Sequence, residues 1–215
     1  SFNNSSFYNP FAGVSEGTLV NPGTYTVDMD LFDGLNSTKI VETLDFTIIP
    51  LDNSIMPAIN REEKVAFQRS VSKLEGKMLE GGKMLDQANN KIKYFIEAIK
   101  IVEVPLGELS VLIKSLEVKI KDINIRFYGN SIKSKLDIEQ VPTAYSRLMS
   151  ILYEQKYSTS APTNTHIESF IIADDEFKPI YKEIKNLLKV DIKEIEDKLK
   201  IIDAPYTPGR LKPKN

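Results

Sequence analysis

Over residues 67–102, apolar or small side chains recur at alternating steps of four and three: Phe67, Val71, Leu74, Met78, Gly81, Leu85, Ala88, Ile92, Phe95, Ile99 and Val102. This heptad spacing predicts one helix of about 40 residues, packed along its length against other helices. Asn60-Arg-Glu-Glu63 has the form of a capping box that opens the helix, and Pro105 closes it after Val104. Gly76, Gly81 and Gly82 lie inside, each costing about 1 kcal/mol relative to alanine. Gly81 falls on the seam, which predicts close approach of a neighbouring helix.

Three more helices follow from the same periodicity. Residues 106–127 carry a stripe of Leu109, Leu112, Leu116, Ile120, Ile123 and Phe127, ended by Gly129. Residues 129–140 are polar and read as a loop. Residues 142–157 form a third helix on Tyr145, Leu148, Met149 and Leu152. The fourth uses Ile167, Phe170, Phe177, Tyr181, Ile184, Leu188, Ile192, Ile195, Leu199 and Ile202. Its consecutive four-residue steps from Ile184 to Leu188 to Ile192 predict a locally straightened supercoil. Pro179 predicts a kink or break near residues 174–176. Four helices with short connections imply an antiparallel up-down-up-down bundle.

Ahead of the helices, residues 1–22 are rich in Asn, Ser, Gly, Pro and aromatics and read as an irregular approach. Tyr25, Val27, Met29 and Leu31 then alternate with polar residues, as do Ile40, Leu44, Phe46 and Ile48. Asp33-Gly34 and Asn36-Ser37 between them supply turn chemistry, so a β-hairpin is expected. A lone hairpin is marginal in water; its apolar face is expected to lie on the helices and on further strands preceding Ser1. The fold class is α+β, mainly α. The chain divides into residues 1–57, an irregular segment plus the hairpin of a partial β-sandwich, and residues 58–215, a four-helix bundle with an extended tail.

Composition narrows the function classes. The 215 residues carry 28 Lys and Arg against 30 Asp and Glu, a net charge of −2. The lysines alternate with carboxylates as on a solvated helix surface, so a nucleic-acid partner is not expected. Without cysteine, disulfides and thiolate metal sites are excluded. No apolar run reaches the ~18–20 residues that span a bilayer. The first residue is Ser and no signal peptide is visible, so the chain reads as a processed piece with any targeting segment upstream.

Few residues are candidates for chemistry. His166 is the single histidine; with no second His and no Cys it has neither a metal-ligand set nor a triad, and it reads as a first-turn helix residue beside Thr163 and Thr165. Asp28 and Asp30 share a strand face, the polar one, and no calcium-type loop follows them. Asp174 and Asp175 read as caps of a helix resuming around Pro179. The glycines from Gly76 to Gly82 miss a phosphate loop, because Gly82 stands where lysine is required. Asn3, Asn4 and Asn36 begin glycosylation-type triplets, a short and common pattern. No catalytic, cofactor-binding or metal-ligating residue is assigned. The residues expected to interact are the aromatics Phe7, Tyr8 and Phe11, and Tyr206 and Arg210 in the Pro-stiffened tail.

Two stretches resemble a known family. NPGTYTVDMDLFDG and LDFTIIPLDNS are similar to the last strands of a fibronectin- or immunoglobulin-like sandwich, and FKPIYKEIKNLLKVDIKEIEDKL with the closing APYTPGR resembles the end of large exported bacterial proteins, common in Bacteroidetes. Those proteins carry sortilin-like (VPS10-like) β-propellers with BNR/Asp-box repeats and are often labelled glycosyl hydrolases. The resemblance covers nearly all of the chain. It implies a C-terminal, non-catalytic scaffold or interaction module that supports the propeller or mediates assembly. The implied partners are the upstream propeller or another cell-surface protein. It also implies export, with a signal peptide upstream. A carbohydrate-binding accessory module, with a glycan as partner, is the alternative. The propeller itself is absent: no Asp-box and no Trp occur, so no catalytic residue is carried over.

Overall fold

The computed structural model describes residues 20–50, 60–102 and 107–205. The described chain is mainly helical, with a two-stranded hairpin ahead of the helices. Its contacts form two units, Ser1–Arg69 with Ser158–Ala161, and Ser70–Tyr157 with Pro162–Asn215.

In the first unit, β1 (Gly23–Phe32) pairs antiparallel with β2 (Ser37–Ile48). Tyr25 faces Phe46, and their rings stack with centroids 5.9 Å apart; Val27 faces Leu44. Beyond that pair β2 carries extra residues. Met29 meets Val41 and Asp30 meets Lys39, so Val41, not the expected Ile40, continues the apolar row. Each bulge inserts one unpaired residue and shifts the side-chain alternation. In the turn Asp33 accepts backbone hydrogen bonds from Leu35 (2.9 Å) and Asn36 (2.8 Å), while Gly34 takes a φ of 98°. On the polar face Asp28 accepts from Lys39 (2.8 Å) and Thr43 (2.5 Å), as a solvated strand face would. The expected burial of the apolar face is not seen: its large side chains are exposed, from 43% for Val41 to 68% for Phe32.

Also in this unit, Asn60 stands just ahead of α1 (Arg61–Ile101) with a positive φ of 57°, and its side-chain nitrogen donates to Glu63 at 3.4 Å. The sequence expectation had Asn60 accepting as a cap; the left-handed backbone points its amide the other way. Lys64 is buried and its ammonium donates to the Ser158 carbonyl, with burial pushing the amino group below its usual range.

The second unit is built on α1 from Ser70 onward. Val71, Leu74, Met78, Leu85, Ala88, Ile92 and Phe95 are buried as the heptads require, and Ala98 replaces Ile99 at the last turn. The remaining helices are α2 (Gly107–Tyr128), α3 (Ser131–Lys135), α4 (Ala144–Tyr157), α5 (Asn164–Asn186), a π-helical turn at Leu187–Asp191 and α6 (Ile192–Ile201). The 129–140 segment is therefore not all loop: the Asn130 side chain caps one helical turn, and Gln140 bonds both the Asn130 backbone and the Ser134 hydroxyl.

Contacts between helices give the topology. Going along the last arm, Glu154 meets His166, Arg147 lies 3.9 Å from Glu176, Arg126 forks onto Glu183, and Lys119 pairs with Asp191. The partners run 154, 147, 126, 119 as the arm runs 166, 176, 183, 191, so α2 and α4 point the same way and form one interrupted arm antiparallel to α5–α6. On α1, Tyr181 donates to Glu80 and Lys91 pairs with Glu196, which makes α1 and α5–α6 parallel. The described unit is thus a bundle of three arms rather than the expected up-down-up-down bundle of four helices. The polar 129–143 segment joins two collinear helices instead of reversing the chain.

At the joint an aromatic cluster replaces the lost helical continuity: Phe127 packs on Phe177 at 5.2 Å and edge-on to Tyr145 at 5.7 Å. Gly81 lies here as the seam predicted; a Cβ on it would sit 3.2 Å from Phe177 and 3.5 Å from Tyr181. Pro179 is exposed and α5 runs through it without a break, so Asp174 and Asp175 are interior helix residues that both accept from Lys178 rather than caps. The sequence stutter appears eight residues after the proline as the π-turn, in which the Ile192 N–H donates to the Leu187 carbonyl. The inserted residue makes Leu187 the buried side chain in place of Leu188.

Candidate functional site

Among the described residues, several places are open to another molecule, and two of them are the most distinct. The first is the exposed apolar face of the hairpin. The second is a polar cleft of about 480 Å³ along α4 and α5, lined among others by Tyr128, Arg147, Ser150, Glu154, Thr165, His166 and Ser169.

The cleft is positioned by two helix starts. Thr143 caps α4, its hydroxyl accepting from the Ser146 N–H at 3.2 Å while the Ser146 hydroxyl donates to the Thr143 carbonyl. Thr163 caps α5 in a reciprocal box with His166: the Thr163 hydroxyl accepts the His166 N–H, and His166 Nδ1 accepts the Thr163 N–H, both at 3.3 Å. A backbone donor at Nδ1 assigns the ring proton to Nε2, which donates to Glu154 at 2.6 Å. Gln155 Nε2 donates to the same Nδ1 at 3.0 Å. His166 is a first-turn helix residue, as the sequence reading had it; that its ring completes the cap and has both nitrogens hydrogen-bonded is seen only in the structure.

Two polar atoms in this region lack partners among the described residues: Arg147 Nε and Gln155 Oε1, both buried. Glu176, the carboxylate paired with Arg147, is 3.9 Å from Nε, outside hydrogen-bond reach. Sequence reasoning missed this cleft. Its signal was there, because Thr143, Ser146, Arg147, Ser150 and Glu154 recur at helical spacing along α4, where the search for apolar stripes passes over them.

Phe7, Tyr8, Phe11, Tyr206 and Arg210 lie outside the described residues. Among the described residues no group of three or more His, Cys, Asp or Glu is placed to hold a metal ion, and no helix is long and apolar enough to cross a membrane. No protein-family model, characterised protein or solved structure matches the chain.

Proposed function

We propose that this chain is a non-catalytic scaffold and interaction module: a helical bundle that carries a hairpin built to be completed by strands from elsewhere. The observation that carries this is the hairpin's exposed apolar row, with Val27, Met29, Val41, Leu44 and Phe46 all open to solvent on paired strands. An amphipathic two-stranded sheet gains stability when a second sheet covers that face. In the reading suggested by the family resemblance, the covering strands belong to the sandwich that precedes this module in an exported, sortilin-like propeller protein, and the bundle supports the propeller at the cell surface. Sequence resemblance at the PGTYTV strands and the APYTPGR tail supports this assignment.

Hydrogen exchange tests it. The amides of Val27, Met29, Leu44 and Phe46 should exchange quickly in the isolated chain and slow by at least about a hundredfold in a longer protein that includes the preceding strands. Equal exchange in the two proteins refutes the completed sheet.

A further inference from the structure

We propose that His166 is a proton-operated latch on the start of α5. The neutral ring closes the helix cap, and the doubly protonated ring opens it by turning over the Gln155 side chain. The proposal goes beyond the scaffold reading and does not depend on the hairpin.

The ring stands between α4 and the cap of its own helix. Nε2 donates to Glu154 at 2.6 Å. Nδ1 has a single lone pair, and two donors share it: the Thr163 N–H at 3.3 Å and Gln155 Nε2 at 3.0 Å. The Thr163 hydroxyl accepts the His166 N–H and completes the box. In the common form of this box the returning side chain is Glu or Gln, an oxygen acceptor. Here it is an imidazole, whose acceptor vanishes when a second proton arrives.

A proton on Nδ1 sets donor against donor at both contacts. The Thr163 backbone amide has no acceptor to offer in exchange and gives up the bond. Gln155 does have one. Its Oε1 is buried and held by no partner among the described residues, so turning the amide over breaks no other hydrogen bond and brings an acceptor to the Nδ1 proton. The protonated ring is then held by Glu154 and Gln155, both on α4, and is released from the start of α5. The helix dipole adds to the release, because it opposes a cation in the first turn.

Protons reach the ring from the cleft: the His166 side chain is 15% exposed and lines it. The charged and titratable groups facing it there are Glu154 and Arg147 on α4 and Tyr128 at the end of α2. Arg147 keeps its charge, and Tyr128, its phenol pushed up by burial, keeps its proton in acid. Glu154 is the other group that takes up a proton as pH falls, and a variant separates the two. What the latch controls is the first turn of α5, which carries Thr165 on the cleft wall.

The test is NMR of the whole chain, following amide exchange and the ring signals of its single histidine as pH is lowered through the ring's own titration. Nitrogen shifts should place the proton of the neutral ring on Nε2. As the second proton enters, protection of the Thr163 amide should fall by about fivefold, as expected for one lost cap bond. The Gln155 side-chain NH2 signals should move with the same midpoint. His166→Gln restores the common box, keeps its acceptor in acid and leaves Glu154 in place, so the Thr163 step should vanish. The proposal is overturned if Thr163 protection stays constant across the ring's titration or if the Gln155 signals do not move. It is overturned equally if the step persists in His166→Gln, which would assign it to Glu154. Loss of protection at the buried Phe95 in the same pH range would mean that the whole bundle unfolds, and also overturns it.

Discussion

At the scale of single residues, the glycines of α1 separate three meanings that the sequence writes identically. Gly76 is exposed and nothing lies within 4 Å of where its Cβ would be. Gly82 lies against the Tyr128 hydroxyl, which a methyl group would displace, and Gly81 lies against Phe177. Gly76→Ala should therefore stabilise the bundle by about 0.5–1 kcal/mol, the helix-propensity gain alone. Gly82→Ala should destabilise it by about 1–3 kcal/mol, because the ring must leave its place in the aromatic cluster. Denaturant unfolding of the two variants measures both; a common sign would contradict the packing at the α1–α2 contact. Asp33 is a second residue with a defined consequence. Backbone hydrogen bonds from Asn36 and Leu35 hold its carboxyl below the ordinary aspartate value of 3.8. Because the folded form is depressed, its contribution to the turn is present above that value and is lost as pH falls through the folded pKa. The Leu35 and Asn36 amide signals should titrate with a midpoint below 3.8; a midpoint above it would mean that the turn does not hold the carboxylate.

At the scale of the element, the π-turn is the feature with the most specific consequence. Buried positions run Ile184, Leu187, Ile192, Ile195, Leu199, so one step of five interrupts a pattern of threes and fours. Removing exposed Val190 shortens that step to four and leaves every downstream apolar side chain on the core face of a regular helix. Deletion of Val190 should be neutral or stabilising, at the loss of a surface pair between Lys119 and Asp191 worth about 0–1 kcal/mol. Deletion of exposed Lys182, with no extra residue to take up, rotates the face by about 100° and should cost several kcal/mol. Thermal unfolding of the two deletions distinguishes them, and similar losses would refute the bulge. The same element shows what was legible beforehand. The stutter at Ile184, Leu188 and Ile192 was visible as an irregular step, but not its resolution. Leu187 and Leu188 are adjacent and both apolar, and which one points inward depends on the neighbouring arms. Leu112 against Ile113 and Leu152 against Ile151 are the same ambiguity, and the structure buries the second-named residue of each pair. Along α1 the same kind of neighbours compete, Met78 with Leu79 and Met84 with Leu85, but there the unbroken heptads fix the phase, and Met78 and Leu85 are the buried members.

At the scale of the molecule, periodicity says which face of a helix is buried but not which way the next helix runs. The largely polar segment from Gly129 to Gln140 read as a reversal because solvated loops and solvated joints share a composition; the difference lies in Asn130 and Gln140, which build a capped turn that carries the chain onward. The cleft beside that joint was illegible for a related reason, since its polar lining marks it as surface until α5 is placed against α4. Direction is open to a direct chemical test. A zero-length carbodiimide cross-link joins an amine only to a carboxylate in contact with it. The three-arm arrangement places Lys91 on Glu196 at 2.5 Å and Lys119 on Asp191. In an up-down-up-down bundle the first and last helices would be antiparallel, and Lys91 would face the first half of α5 instead. Cross-linked peptides joining residues 91 to 196 and 119 to 191 should therefore dominate among helix-to-helix products. They should also persist in moderate salt for Lys91, whose side chain and that of Glu196 are mostly buried. Products linking Lys91 to Asp174 or Glu176 would reverse the last arm and, with it, remove the α4–α5 cleft from the structure.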